Sequence, residues 1–225
     1  LTLGLMAVSA GEPVEARRQA ARARRLLNAP QLTALLSAQA AHLAGDHAAA
    51  RRYFTTLIDD QHTAFLGQIG LMRLAVDSKD SPAALMAARK ALDLKPQSAL
   101  AAAQLLQLYA DQQNWTAALE VIAVVIKDRK KQTGTVTESL VLQQTALYYL
   151  DGLGALETEQ DSVRATGQFL MALSNDPEYA RAHDTSGVIY QRLGMLEEAR
   201  GAYSRALQLD PLLTDATENL SELES

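Results

Sequence analysis

The sequence predicts an all-α solenoid: antiparallel helix pairs stacked as repeats in a right-handed superhelix. Three observations point there. Alanine recurs in steps of 34, at Ala16, Ala50, Ala84 and Ala118, and again at Ala165 and Ala199. Just ahead of that series run Gly11 and Gly45, followed one residue on by Glu12 and Asp46, with Asp80 and Asn114 continuing the step. Proline stands at the close of later periods, at Pro96, Pro177 and Pro211. A fixed period of roughly 20–50 residues marks a repeat architecture, because each unit buries its apolar face only against its neighbours.

The first unit, residues 1–30, opens inside a helix without a Met, so the chain reads as a fragment. It turns at Gly11 into a second helix with Ala16, Ala20, Ala23 and Leu27 facing the core. The second unit, 31–64, turns in "AHLAGDHAAARRYF" at Gly45. The third, 65–98, closes at Pro96, and the fourth, 99–132, carries Trp115. The register then slips by 13 residues and resumes, which makes the fifth unit, 133–179, long and irregular. Its excess is read as a polar loop in "DRKKQTGTVTES" (128–139); the alternative is a longer helix pair with its loop at "ETEQD" (157–161). "GLGA" (152–155) reads as a close packing contact within a helix. The sixth unit spans 180–213. Residues 214–225 place Ala216, Leu220 and Leu223 on one face, as a solvating end helix or the start of a further unit.

The residue types follow from the packing. Gly accepts the left-handed conformation that ends a first helix. The Ala series and Gly187 admit a second helix backbone at close range, where a larger side chain would overpack. Proline stops the second helix.

The sixth unit, "AHDTSGVIYQRLGMLEEARGAYSRALQLDP" (182–211), carries Gly187, Tyr190, Gly194, Ala199, Tyr203, Ala206 and Pro211. It resembles the tetratricopeptide repeat, W-x-x-L-G-x-x-Y followed by Ala, an aromatic and Pro, with His183 and Ser186 in place of the usual Trp and Leu. The earlier units resemble a narrower family. "GDHAAARRYF", the following "DDQHTAFLG" and the Trp115 unit are similar to the HemY family of bacterial inner-membrane repeat proteins, over residues 1–127. That resemblance implies an anchor upstream of Leu1, a cytoplasmic repeat domain, and a role in organising membrane-associated enzymes of late haem biosynthesis. A structural subunit or assembly factor of another membrane complex is the alternative.

Composition excludes several classes. Cys is absent, which removes disulfides, thiolate metal sites and a Cys nucleophile. Aromatics at 5% and a net charge of −5 argue against a nucleic-acid surface. No apolar run reaches the roughly 18 residues of a membrane span. No phosphate-binding glycine loop, zinc-binding H-E-x-x-H or nucleophile elbow occurs, so the chain reads as non-catalytic, without cofactor or metal. His42 and His47, five apart and so on different faces, read as turn residues, and Glu157, Glu159 and Asp161 as a solvated loop. Charge is uneven: residues 1–131 hold 16 Lys/Arg against 11 Asp/Glu, and 132–225 hold 5 against 15.

Two surfaces are candidates for binding. Arg17, Arg18, Arg22, Arg24 and Arg25 cover the outer side of the second helix; this is a solvated face, or one facing anionic lipid or an acidic protein. The concave side of a helix-pair solenoid is lined by first helices, where peptide segments bind. Projection places Leu35, Gln39 and His42 there, then Ile69 and Arg73, and then Ala103, Gln107 and Asp111. Arg181, Asp184, Val188, Gln191 and Arg192 follow. The Lys and Asn of a carboxylate clamp are missing from these slots, and the early slots are apolar, so the expected partner is a protein offering an apolar or helical segment.

Overall fold

The structure is a computed structural model that describes residues 2–157 and 161–224. Among these the chain forms thirteen α-helices and no strand. They are α1 (Thr2–Ser9), α2 (Pro13–Leu26), α3 (Pro30–Leu43), α4 (His47–Ile58), α5 (Ala64–Asp77), α6 (Ser81–Leu94) and α7 (Ala99–Asp111). The rest are α8 (Trp115–Thr133), α9 (Glu138–Glu157), α10 (Ser162–Asn175), α11 (Ala180–Arg192), α12 (Leu196–Leu209) and α13 (Thr214–Glu224).

The recurring "Gly then acid" is a two-part turn. The residue just past α1, α3, α5, α7 and α11 takes the left-handed conformation: Gly11, Gly45 and Gly194 at φ 71°, 73° and 75°, and their counterparts Lys79 and Gln113 at 55° and 54°. At three of these turns the next residue caps the second helix. Asp46, Asp80 and Asn114 accept a hydrogen bond from the backbone N–H of Ala49, Ala83 and Ala117 at 3.0, 3.1 and 3.1 Å, meeting one of the donors a helix start leaves unpaired. Asp161 does the same for α10 through Arg164 N at 2.9 Å, while Glu12 caps nothing. With the chain reversed in so few residues, consecutive helices pack face to face from α1 to α6 and from α8 to α13.

The helices gather into two compact units, residues 1–108 and 109–225. In the first, Leu36 packs among Ala7, Ala16, Ala20 and Ala23, and Phe54, Leu57 and Leu74 among Ala38, Ala41 and Ala50. Leu27, expected in the core, is 40% exposed, because α2 ends at Leu26 and the chain turns extended there. In the second unit Ala165, Phe169 and Ile189 pack with Ala155 and Leu156. A Cβ on Gly152 would stand 2.6 Å from the Phe169 ring, and one on Gly187 2.5 Å from the Tyr203 ring, so both glycines are close packing contacts.

Of the polar stretch 128–139 expected as a loop, only residues 134–137 lie outside a helix. Residues 128–133 continue α8, which is 19 residues long, and α9 is 20 residues, against 12–14 in α2 to α7. Lys and Arg are good helix formers, Lys130 and Lys131 suit the negative C-terminal end, and Gly134 at φ 72° closes the helix. The excess of the fifth unit is thus largely helix. Glu157 ends α9 and Asp161 caps α10, while Glu159 lies outside the described residues. The buried Asp151 carboxylate holds this elongated region together: Thr116 Oγ1 and Arg164 Nη2 both donate to its Oδ1, at 2.7 and 2.8 Å, joining α8, α10 and α9.

Candidate functional site: a groove on the first helices of unit 1

The odd-numbered helices of unit 1 line an open cavity of about 640 Å³. From α3 come Leu35, Gln39, His42 and Leu43; from α5 come Phe65, Leu66, Ile69 and Arg73. The α3 positions run i, i+4, i+7, i+8 and the α5 positions i, i+1, i+4, i+8, spacings that put side chains on one face of each helix. Val8 of α1 and Leu100 of α7 close the sides, and Phe54 reaches the floor from α4 beneath Gly70. The lining is mostly apolar, and three of its leucines stay open to solvent: Leu43, Leu66 and Leu100 at 37%, 39% and 45% exposure.

Two lining side chains carry polar heads of functional interest. The Nε2 of His42 lies 2.6 Å from Oδ2 of Asp77, across α3 and α5. Arg73 sits one helical turn before Asp77 on α5, is exposed, and has neither ion pair nor hydrogen bond among the described residues. Near the entrance the Lys95 ammonium lies 4.5 Å from the centre of the Phe65 ring, a cation–π contact that fixes that ring.

Of the residues projected onto a binding face, Leu35, Gln39, His42, Ile69 and Arg73 therefore lie together. Ala103, Gln107 and Asp111 are exposed on α7 and line no part of this cavity. Arg181, Asp184, Val188, Gln191 and Arg192 lie on α11 in the second unit. Arg181 and Arg192 are exposed. Asp184 is buried, accepting from Asn219 Nδ2 of α13 at 3.4 Å, and burial raises its carboxyl above the ordinary value. Gln191 Oε1 accepts from the Tyr203 hydroxyl at 2.8 Å, and burial pushes that phenol up to about 12. Projection missed Val8, Leu43, Phe65, Leu66 and Leu100. Carrying the i, i+3, i+4 stripe one turn further along α3 and α5 finds Leu43, Phe65 and Leu66.

The arginines of α2 do different things. Arg17 pairs with Asp46 at 3.3 Å, Arg24 bonds the Tyr53 hydroxyl and lies over its ring, and Arg18 pairs with Glu15 of its own helix at 3.6 Å. Arg17 and Arg24 thus fasten α2 to the α4 region, leaving Arg22 and Arg25 as exposed charge. His42 and His47, expected on different faces, meet with ring centres 6.2 Å apart, because α3 ends at Leu43 and the turn brings the start of α4 back.

Helix pairs with left-handed turns, capping acids and small-residue contacts define a tetratricopeptide-repeat protein. Residues 180–213 match the family model of the tetratricopeptide repeat, and residues 1–45 match the model described as HemY protein N-terminus, so the protein is a tetratricopeptide-repeat protein that resembles HemY. A tetratricopeptide repeat protein from Parabacteroides merdae ATCC 43184 has a similar structure, with a TM-score of 0.51 at 15% identity over 99% of this chain and 96% of that one. A chain in the structure of Naa15/Naa10 bound to HypK-THB gives a TM-score of 0.69 at 13% identity, over 98% of this chain and 32% of that one. YrrB, a TPR protein with an unusual peptide-binding site, gives 0.44 at 19% identity, over 76% of this chain and 81% of YrrB. At these identities the likeness is one of fold. No curated protein sequence matches.

Proposed function

We propose that this protein is a non-catalytic scaffold that holds protein partners at the bacterial inner membrane, in service of haem biosynthesis, and that the groove of unit 1 receives the partner. The observation that carries the groove reading is the cavity itself: about 640 Å³, mostly apolar, open, and built from four successive first helices. Such a surface is costly to leave in water and gains when a segment covers it. The membrane and haem parts rest on the HemY N-terminal match over residues 1–45. No described helix is long and apolar enough to cross a membrane, so attachment would use another segment or a partner. The exposed Arg22 and Arg25 suit an anionic surface beside it.

Co-purification of the tagged full-length protein from gently solubilised membranes tests this. Enzymes of the haem pathway should dominate, and Leu66→Glu should release them. Recovery of a different membrane complex, still released by Leu66→Glu, would replace the haem role with that of a subunit or assembly factor. Partners retained in full by Leu66→Glu would overturn the groove.

A further inference from the structure

The chemistry of the groove specifies its occupant more narrowly than "apolar", and this inference rests on the groove reading above. We propose that the occupant is an acidic amphipathic segment of a partner protein, whose apolar side chains cover Leu66, Ile69 and Leu100 and whose carboxylate pairs with Arg73.

The argument turns on what happens to Arg73 when the groove fills. Its natural partner within the chain is Asp77, one turn along α5, at the spacing where opposite charges pair on a helix. The Asp77 carboxylate is engaged instead with His42, at 2.6 Å. Arg73 is left as the uncompensated charge of a mostly apolar lining that also holds Gln39 and His42, and it is open to water. Any occupant that covers Leu66 and Leu100 displaces part of that water. A neutral apolar segment leaves a guanidinium desolvated and unpaired, which is costly, and a basic one adds repulsion. A carboxylate returns two acceptor oxygens in the planar geometry a guanidinium matches. The surroundings act in the same direction. Residues 1–108 hold twelve Lys and Arg against eight Asp and Glu, so close to this unit, within about a Debye length, the charge balance favours an acidic segment although the whole chain carries −5.

The test is selection from a phage-displayed library of random 12-residue peptides on the immobilised chain, with parallel selections on Leu66→Glu and Arg73→Glu. Circular dichroism confirms that both variants fold. Peptides enriched on the parent and lost on Leu66→Glu should carry Asp or Glu beside bulky apolar residues, and Arg73→Glu should replace the acid with Lys or Arg. Fluorescence anisotropy then compares an enriched peptide with its Asn or Gln counterpart. The neutral peptide should bind the parent about tenfold more weakly, and the two should bind Arg73→Ala alike. Leu66-dependent peptides with no acidic bias, or with an acidic bias that survives Arg73→Glu, would overturn the proposal and leave the groove standing. A selection that yields no Leu66-dependent peptide would remove the groove reading and this inference together.

Discussion

The ring of Phe54 occupies the space a side chain on Gly70 would need: an added Cβ would stand 2.1 Å from its Cδ1. This contact between α4 and α5 also sets the groove floor, since both residues line it. Gly70→Ala should therefore destabilise by roughly 1–3 kcal/mol through overpacking, despite the better helix propensity of Ala. Gly201→Ala on α12 is the control. Nothing lies within 4 Å of its added Cβ, and it should stabilise by about 0.5–1 kcal/mol. Urea denaturation of both variants checks this, and equal shifts would contradict the packing described.

The two-part turn makes separable predictions. Asp80→Ala removes the bond from Ala83 N and should cost about 1 kcal/mol. Lys79→Gly relieves a left-handed lysine at φ 55° and should stabilise, by less than about 1 kcal/mol because glycine also frees the unfolded chain. Thermal melts distinguish the opposite signs.

Ala199 of α12 is fully buried, whereas Arg73 is exposed. Ala199→Leu should destabilise by roughly 1–3 kcal/mol. Arg73→Ala should change stability by less than about 0.5 kcal/mol while altering binding. Equal losses would mean that the repeat register is misplaced.

Asp184 gives a pH dependence with a defined sign. Burial first, and the Asp215 charge after it, lift its carboxyl above the usual 3.8, with the Asn219 bond pulling the other way. An acid raised on folding holds its proton more tightly in the native state, so its contribution weakens folding as pH rises from 3.8 through the native value. Asp184→Asn should be more stable than the parent at pH 7, with the difference shrinking on acidification below 3.8. Denaturation at both ends checks this; a less stable variant at pH 7 would contradict it.

Much of this was legible in the sequence, for physical reasons. Residues with a single steric role, such as Ala at a helix contact, Gly at a left-handed turn and Pro after a helix, announce themselves by period. The role of Asp46, Asp80 and Asn114 as caps was not read, although they stood in the same 34-residue step. The helical extension at 128–133 was missed because polar composition resembles a loop, while the helix it extends is decided by neighbours and a glycine cap. On the groove, the α3 and α5 residues converge because regular helices carry a stripe faithfully. Asp184, projected onto the binding face, is buried instead, because Asn219 of α13, a helix that begins 30 residues further along the sequence, bonds to it.

The central claim is that a partner lies in the groove of unit 1. The most direct test places a photoreactive amino acid at Gln39, in the groove, or at Arg25, on the outer side of α2, in the full-length protein, and irradiates intact membranes. The account predicts a discrete protein adduct from position 39 that disappears when Leu66→Glu is added. An adduct from position 25 alone, or one from 39 that survives Leu66→Glu, would contradict it.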